Sequence, residues 1–517
     1  MRILGPVFTL LIASATFFVP RAHAEIRLPA VLSDHAVLQR EAPIHLWGWS
    51  SPAAHLTIHF HAQTLSTTAN ALGEWSTWLM PERAGGPYTL TLDGGAQEGT
   101  AQITDLLVGD VWLASGQSNM EMPLKGFSPD TFVKDSKAEI AAANNPQLRL
   151  LVVAKKSSDI PQDDIQGTWT LCTPETAQNF SAVAYFFGRA IAAGEHVPIG
   201  LIDSSWGGTP ADSWVSLNTL GNSPALLPAF ASRAVFTDEQ RDQRARMAAE
   251  DAEDAAAKAA GKPLPQHSWH PDVTAWLPAG LYNGMIAPLT GVSLKGFLWY
   301  QGESNSGHGR APYYGTLFPA LITDWRMHFA QGDLPFLFVQ ISSFNSPAED
   351  WPTVRDAQRR TLRLADTAMV VSTDVGNPTN VHPADKQTVG ARLALAARSL
   401  AYGEPQAYAP PLFREATEQT GAIRVWFDHA QGLTAHDKSG EPGKSIPGFE
   451  VAGDDHHFVP ATATVETTSE GDTVLVSAPS VPTPVYVRYD WTSVTPPPLY
   501  NAAGLPLSTF TSEPAAP

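Results

Sequence analysis

The chain has 517 residues, too many for one compact core, so about two to four domains are expected on length alone. With 33 basic against 51 acidic residues the formal charge is −18, which argues against nucleic acid and anionic membranes as partners, because both require a basic surface. Cys172 is the sole cysteine, so an intrachain disulfide and a thiolate zinc site are excluded.

In chain order, residues 1–24 read as a secretory leader. Arg2 precedes an apolar run from Ile3 to Phe18, and Ala22-His23-Ala24 forms a small-residue cleavage site. Pro20 and Arg21 close the run too early for a membrane anchor, and a periplasmic or secreted protein is expected. Residues 25–104 carry HLWGWS, HLTIHFHAQ, GEWSTWLM and YTLTLDGG, short alternating runs between turns that predict a small antiparallel β domain. His55, His59 and His61 have strand spacing and are read as alternation along an edge rather than as a ligand set.

Residues 105–401 alternate strand and helix. LLVGDVWLAS, LRLLVVA, VPIGLIDSSWGG, LKGFLWYQGES, LPFLFVQI and AMVVSTDVG predict strands. FSAVAYFFGRAIAAG, YYGTLFPALITDWRMHFA and HPADKQTVGARLALAARSLA predict helices. The pattern is that of a parallel sheet covered on both faces. Residues from about 232 to 265, including the charged, alanine-rich Thr237 to Lys262, lack a core stripe and predict an exposed helical insertion. From 402 to 517 strands return without helices (AIRVWFD, GFEVAG, DTVLVSA, PVYVRYDW), predicting a second β domain.

Chemistry concentrates at predicted strand ends. VWLASGQSNMEM places Ser118 just past a strand and at a helix start, in the crevice where open α/β sheets bind ligands. A serine there serves as an N-cap unless a base and oxyanion donors lie within reach. His382, before Pro383 and the helix that follows, is a candidate base. Gly207 and Gly208 in DSSWGGTP can turn a backbone N–H into the site. Gln301, Glu303 and Asn305 close the strand GFLWYQGESN, and a side-chain amide among them can supply a further oxyanion donor.

GQSNM, SSWGGTP, WYQGES and HPADKQTVGARLALAAR resemble the motif blocks of the SGNH (GDSL-like) hydrolases, in the branch of sialate O-acetylesterases and related carbohydrate acetylesterases. LYNGMIAPL, PFLFVQI, VRDAQRR, VRYDW and LYNAAGLPLSTF extend that resemblance over nearly all of the chain past the leader. The resemblance implies an SGNH-type three-layer α/β/α domain with a parallel sheet, flanked by N- and C-terminal β-sandwich-like domains. It implies Ser118 as nucleophile and N–H donor, Gly208 in preference to Gly207 as second donor, Gln301 or Asn305 as amide donor, and His382 as base. Many members carry an Asp three residues before the histidine; Thr379 stands there. Asp374, Asn380 or a backbone carbonyl is then left to orient the ring.

The expected activity is removal of acetyl groups from sugar hydroxyls through an acyl-enzyme, with no metal or organic cofactor. Trp206, Trp214, Trp299, Tyr300 and Glu303 adjoin the motifs and are candidates for sugar contact, the aromatic ones equally for core. Acetylated xylan or xyloglucan oligosaccharides and O-acetyl sialic acid are the expected substrates. An inert carbohydrate-binding protein and a general short-chain esterase are the competing classes.

Overall fold

The computed structural model describes residues 25–265, 267, 270, 272–307, 309–435, 446–496 and 498–514, and the leader read at 1–24 lies outside them. The N-terminal strands are β1 (Val37–Gln39), β2 (Ile44–Trp49), β3 (His55–Phe60), β4 (Gln63–Thr68), β5 (Glu74–Leu79) and β6 (Gly85–Asp93). β2 pairs with β5, while β3 joins β4 to β6, all antiparallel. Period-two burial explains the pattern: Leu56, Ile58 and Phe60 face inward, and His55 and His59 face solvent. The latter meet the hydroxyls of Thr68 and Thr64, His61 meets Glu82, and no metal-binding group occurs among the described residues.

β7 (Thr100–Gly116) belongs to two sheets. Its first residues pair antiparallel with β6; from Asp110 onward it pairs in parallel with β10 (Ile199–Ser205). The boundary expected between 104 and 105 therefore falls inside one continuous strand, where Asp105 adopts a φ of 53°. With β8 (Asn145–Val152), β9 (Trp169–Cys172), β11 (Gly296–Tyr300), β12 (Phe336–Gln340) and β13 (Thr367–Val371), the central order is β13-β12-β11-β7-β10-β8-β9. Only the edge strand β9 runs antiparallel in this path. β11 and β12 are buried at every residue, as a parallel strand covered on both faces must be.

Helices cover the two faces. Ala182–Glu195 and Lys386–Leu400 pack together over one, capped by the side chains of Ser181 and Asp385. Ala311–Phe329 and Trp351–Thr361 pack over the other. The expected insertion is helical over Leu227–Ala259. The C-terminal segment forms two four-stranded sheets, one containing Ala422–Asp428 and Gly471–Ser477, the other Phe449–Ala452 and Tyr486–Tyr489, around Val425, Val451, Val474 and Phe510. The molecule is thus α/β, with a three-layer centre and flanking sheets. The chain leaves β7 toward β8 and β10 and later crosses to β11, so the order reverses beside β7, and Ser118 follows that strand.

Candidate active site

Ser118 opens the single helical turn Ser118–Glu121, after Gln117 in extended conformation. The N-cap side chain of Gln117 makes no cap bond; the N–H groups of Met120 and Glu121 are met by the Gln117 carbonyl. The N–H of a first helical residue has no partner within the helix, so that of Ser118 is available to an oxyanion. Gly116 has a φ of 133°, and a Cβ there would lie 2.2 Å from the Tyr300 carbonyl oxygen. The turn that presents Ser118 can therefore be built only with glycine at this point.

The Gly207-Gly208 turn stands against Ser118, since a Cβ on Gly207 would come within 3.2 Å of the Ser118 Cβ. The Gly207 N–H donates to the Glu121 carboxylate, which also takes the Lys155 ammonium at 2.5 Å. Gly208, with a φ of 73°, is left as the glycine whose N–H can serve an oxyanion.

Gln301 and Asn305, the two amide candidates, are hydrogen-bonded to each other. The Gln301 Nε2 donates to the Thr209 carbonyl at 3.2 Å and to Asn305 Oδ1 at 2.6 Å, and its Oε1 accepts from Tyr314. Asn305 Oδ1 also accepts the Ala211 N–H at 2.9 Å. Gln301 is fully buried and acts as the holder; Asn305, its oxygen occupied twice, has Nδ2 to offer.

His382 lies in a loop tied to the serine turn. Asn119, next to Ser118, donates from Nδ2 to the carbonyl of Val381, next to His382, at 3.0 Å. The same nitrogen donates to Glu303 at 2.6 Å, and Asn119 Oδ1 accepts the Lys386 ammonium at 2.5 Å. His382 Nε2 is buried and unpartnered, and the Phe127 ring meets the imidazole edge-on at 5.3 Å. Burial, assisted by the Lys386 charge, pushes the imidazole down to about 4, so it is unprotonated near neutral pH. Burial likewise lowers Lys386 to about 7, against the opposing pull of Glu303, and raises the Glu303 carboxyl.

Neither proposed orienter reaches the ring. Asp374 is held by Arg392 in a bidentate pair at 2.8 and 2.7 Å. Asn380 accepts the His382 backbone N–H and donates to Asp130 and Thr131, so it shapes the loop. The aromatic candidates also separate. Trp214, Trp299 and Tyr300 are wholly buried: Trp214 bonds Thr209, and the Tyr300 hydroxyl meets Ser342. Glu303 is buried beneath the serine turn, which corrects its reading as a sugar contact. Trp206 alone of these is half-exposed, its N–H on the Gly116 carbonyl and its ring near Lys155. Asn119, Lys386 and Phe127 escaped the sequence reading. A carboxylate as apolar in its surroundings as Glu303 demands buried partners, and that was the available signal.

A family model described as carbohydrate esterase, sialic acid-specific acetylesterase, matches residues 258–399. The chain is 30% identical to the sialate O-acetylesterase of Mus musculus, covering 95% of this chain and 94% of that one. It is 31% identical to the sialate O-acetylesterase of Homo sapiens over 73% of this chain and 71% of that one. The crystal structure of a carbohydrate acetylesterase from Xanthomonas citri superposes with a TM-score of 0.79 at 36% identity, covering 94% of this chain and 99% of that one. Likeness of this extent, in sequence and in fold, places the chain in the sialate O-acetylesterase family, as a carbohydrate O-acetylesterase.

Proposed function

We propose that the enzyme works through a Ser118–His382 dyad and acts, after export, on neutral acetylated oligosaccharides of the xylan or xyloglucan class. His382 takes the Ser118 proton as Oγ attacks the acetyl carbonyl. The tetrahedral oxyanion receives hydrogen bonds from the N–H groups of Ser118 and Gly208 and from Asn305 Nδ2. His382 then protonates the departing sugar oxygen, and after that it activates the water that releases acetate from Ser118. The observation that carries this reading is the Asn119 bridge, which binds the residue after the serine to the residue before the histidine while His382 Nε2 stays buried without a partner. Export is inferred from the composition of residues 1–24.

Charge supports the neutral substrate. The chain carries −18 overall, and the lysines beside the serine turn are engaged, Lys155 by Glu121 and Lys386 by Asn119. An anionic sugar would approach a repelling surface. Trp206 and Phe127, the latter 43% exposed, offer apolar surface to a sugar ring near Ser118 and His382 respectively. Ser118→Ala is expected to lower turnover of 4-nitrophenyl acetate by at least about a thousandfold with an unchanged circular dichroism spectrum. Retained turnover would sink the assignment. Acetate release is expected from acetylated xylo- and xyloglucan oligosaccharides in preference to O-acetyl sialic acid, and the reverse order would overturn the substrate class.

A further inference from the structure

A second cavity, of about 440 Å³, lies where β2 and β5 meet the loops around residues 162–163 and 287–291. None of Ser118, Gly208, Asn305 and His382 lines it. Its volume falls in the range of small-ligand sites. Trp47, Trp49 and Trp75 contribute its aromatic wall, and Asn70, Glu74 and Asp163 its polar groups. We propose that this cavity is a second carbohydrate site, which holds a neutral, hydroxyl-rich sugar unit of the same polymer away from the reacting acetyl group.

The wall is preorganised. His45 is sandwiched between Trp47 at 4.8 Å and Trp78 at 4.4 Å, with interplanar angles of 16° and 21°, so the Trp47 indole is held in a stack of three rings. Arg27 lies over Trp49 at 3.8 Å and fixes that ring too. Rigid aromatic surface of this kind suits the C–H face of a pyranose, since little side-chain freedom is lost on contact. Trp75 is 3% exposed, and its indole N–H is buried with no acceptor. With that nitrogen closed to solvent, Trp75 backs the wall, and contact with a ligand falls to the half-exposed rings of Trp47 and Trp49.

The polar groups set the charge of the ligand. Glu74 and Asp163 are exposed carboxylates that can accept from hydroxyls, and no lysine or arginine is part of the lining. Burial lowers His45, which keeps the ring uncharged at neutral pH. A carboxylated or phosphorylated sugar would face the Glu74 and Asp163 carboxylates, with the nearby Arg27 cation lying over Trp49 and 4.0 Å from Asp164, whereas a neutral one finds acceptors and an apolar face. Because the cavity is built by both the N-terminal strands and the 287–291 segment, whose Leu46 and Leu289 share one buried core with Val111 of β7, a polymer chain bound in it is held by the same core that supports the strand leading to Ser118. The benefit to catalysis is then one of effective concentration, seen on polymer and absent on a small ester.

The full-length protein is titrated calorimetrically with non-acetylated xyloglucan heptasaccharide, alongside the variants Trp47→Ala and Glu74→Gln. Wild type is expected to bind the probe, and each variant to weaken one class of site by roughly tenfold. Turnover of 4-nitrophenyl acetate is expected to stay at the wild-type level, while KM for acetylated xyloglucan polymer rises severalfold. Should Trp47→Ala lose its folded spectrum, Glu74→Gln, an exposed substitution, carries the test. Absence of probe binding to wild type, or identical isotherms and polymer KM in a folded variant, overturns the proposal. Loss of 4-nitrophenyl acetate turnover in Ser118→Ala alone leaves it standing, since that reports on the dyad.

Discussion

A histidine that is to take a proton from Ser118 must be neutral when the substrate arrives, and at His382 burial and the neighbouring Lys386 both work in that direction. The imidazole lies below its usual value, at about 4, so the base form persists as pH falls below 6.5 and is lost only on approaching that lower value. The acid limb of kcat/KM for 4-nitrophenyl acetate is therefore expected well below pH 6. Lys386→Gln keeps a donor for Asn119 and removes the charge, and it should move that limb upward; a limb at 6.5 or higher in wild type would mean that a carboxylate sets the base. Asp374 belongs to a different balance. Its pair with Arg392 is about nine-tenths buried, so Asp374→Asn should cost roughly 3 kcal/mol, read as a lower urea midpoint, with kcat changed only a few fold. A true triad acid would cost about ten-thousandfold in kcat. Sequence order made Asp374 the nearest upstream acid to His382 but could not show that Arg392, in the helix following that histidine, reaches back to it. Ser118, the glycine pair and the amide cluster were legible because each stands where an apolar run stops. Proposing Asn305 rather than Gln301 as the amide donor required the hydrogen-bond directions.

At the scale of elements, the apolar runs Phe297–Tyr300, Phe336–Val339 and Ala368–Val371 of β11, β12 and β13 are readable because strands covered on both faces are near-continuously apolar. β7 was not readable as one strand. Thr104 and Asp105 interrupt its apolar run, and Asp105 takes a left-handed φ that redirects the chain without ending its pairing. The strand thereby joins the N-terminal sheet to the one that leads into Ser118, and its last residue is tightly constrained. Gly116→Ala combines a disfavoured φ with a 2.2 Å approach to the Tyr300 carbonyl, and backbone on both sides cannot give way cheaply. Loss of several kcal/mol is expected, together with loss of 4-nitrophenyl acetate turnover in whatever fraction folds. Wild-type stability and turnover in this variant would show that the turn can be rebuilt, and with it that the placement of Ser118 does not depend on glycine.

Across the whole molecule the C-terminal sheets are fastened to the catalytic layer by a set of hydrogen bonds in which one buried guanidinium makes four. Arg355 donates to the carbonyls of Ile341 and Ser342 at the end of β12, and to those of Thr492 and Ser493 in the C-terminal segment, at 2.8 to 3.0 Å. Burial pushes it down to about 10, still charged at neutral pH. The Ser493 oxygen also takes the Phe344 N–H, so deleting the guanidinium leaves the carbonyls of Ile341 and Ser342 on one side of the junction, and of Thr492 on the other, short of this donor. The Ser343 and Thr495 hydroxyls meet at 2.7 Å and the Phe344 N–H donates to the Ser493 carbonyl at 3.1 Å beside it, while Gln340 bonds Ser508 at 2.9 Å and Arg360 reaches the Thr511 carbonyl at 3.2 Å across the same junction. Arg355→Met is expected to cost about 3 to 5 kcal/mol at this junction and to split thermal unfolding into two calorimetric transitions, the C-terminal sheets melting first. The cost should reach catalysis as well, because Ser342 sits between Arg355 and the Tyr300 hydroxyl beneath the serine turn. Arg414→Met, which removes an exposed cation of the C-terminal sheet, should leave both transitions and turnover as they are. One unsplit transition at the wild-type midpoint in Arg355→Met would show instead that the apolar surface between the layers is enough to hold them.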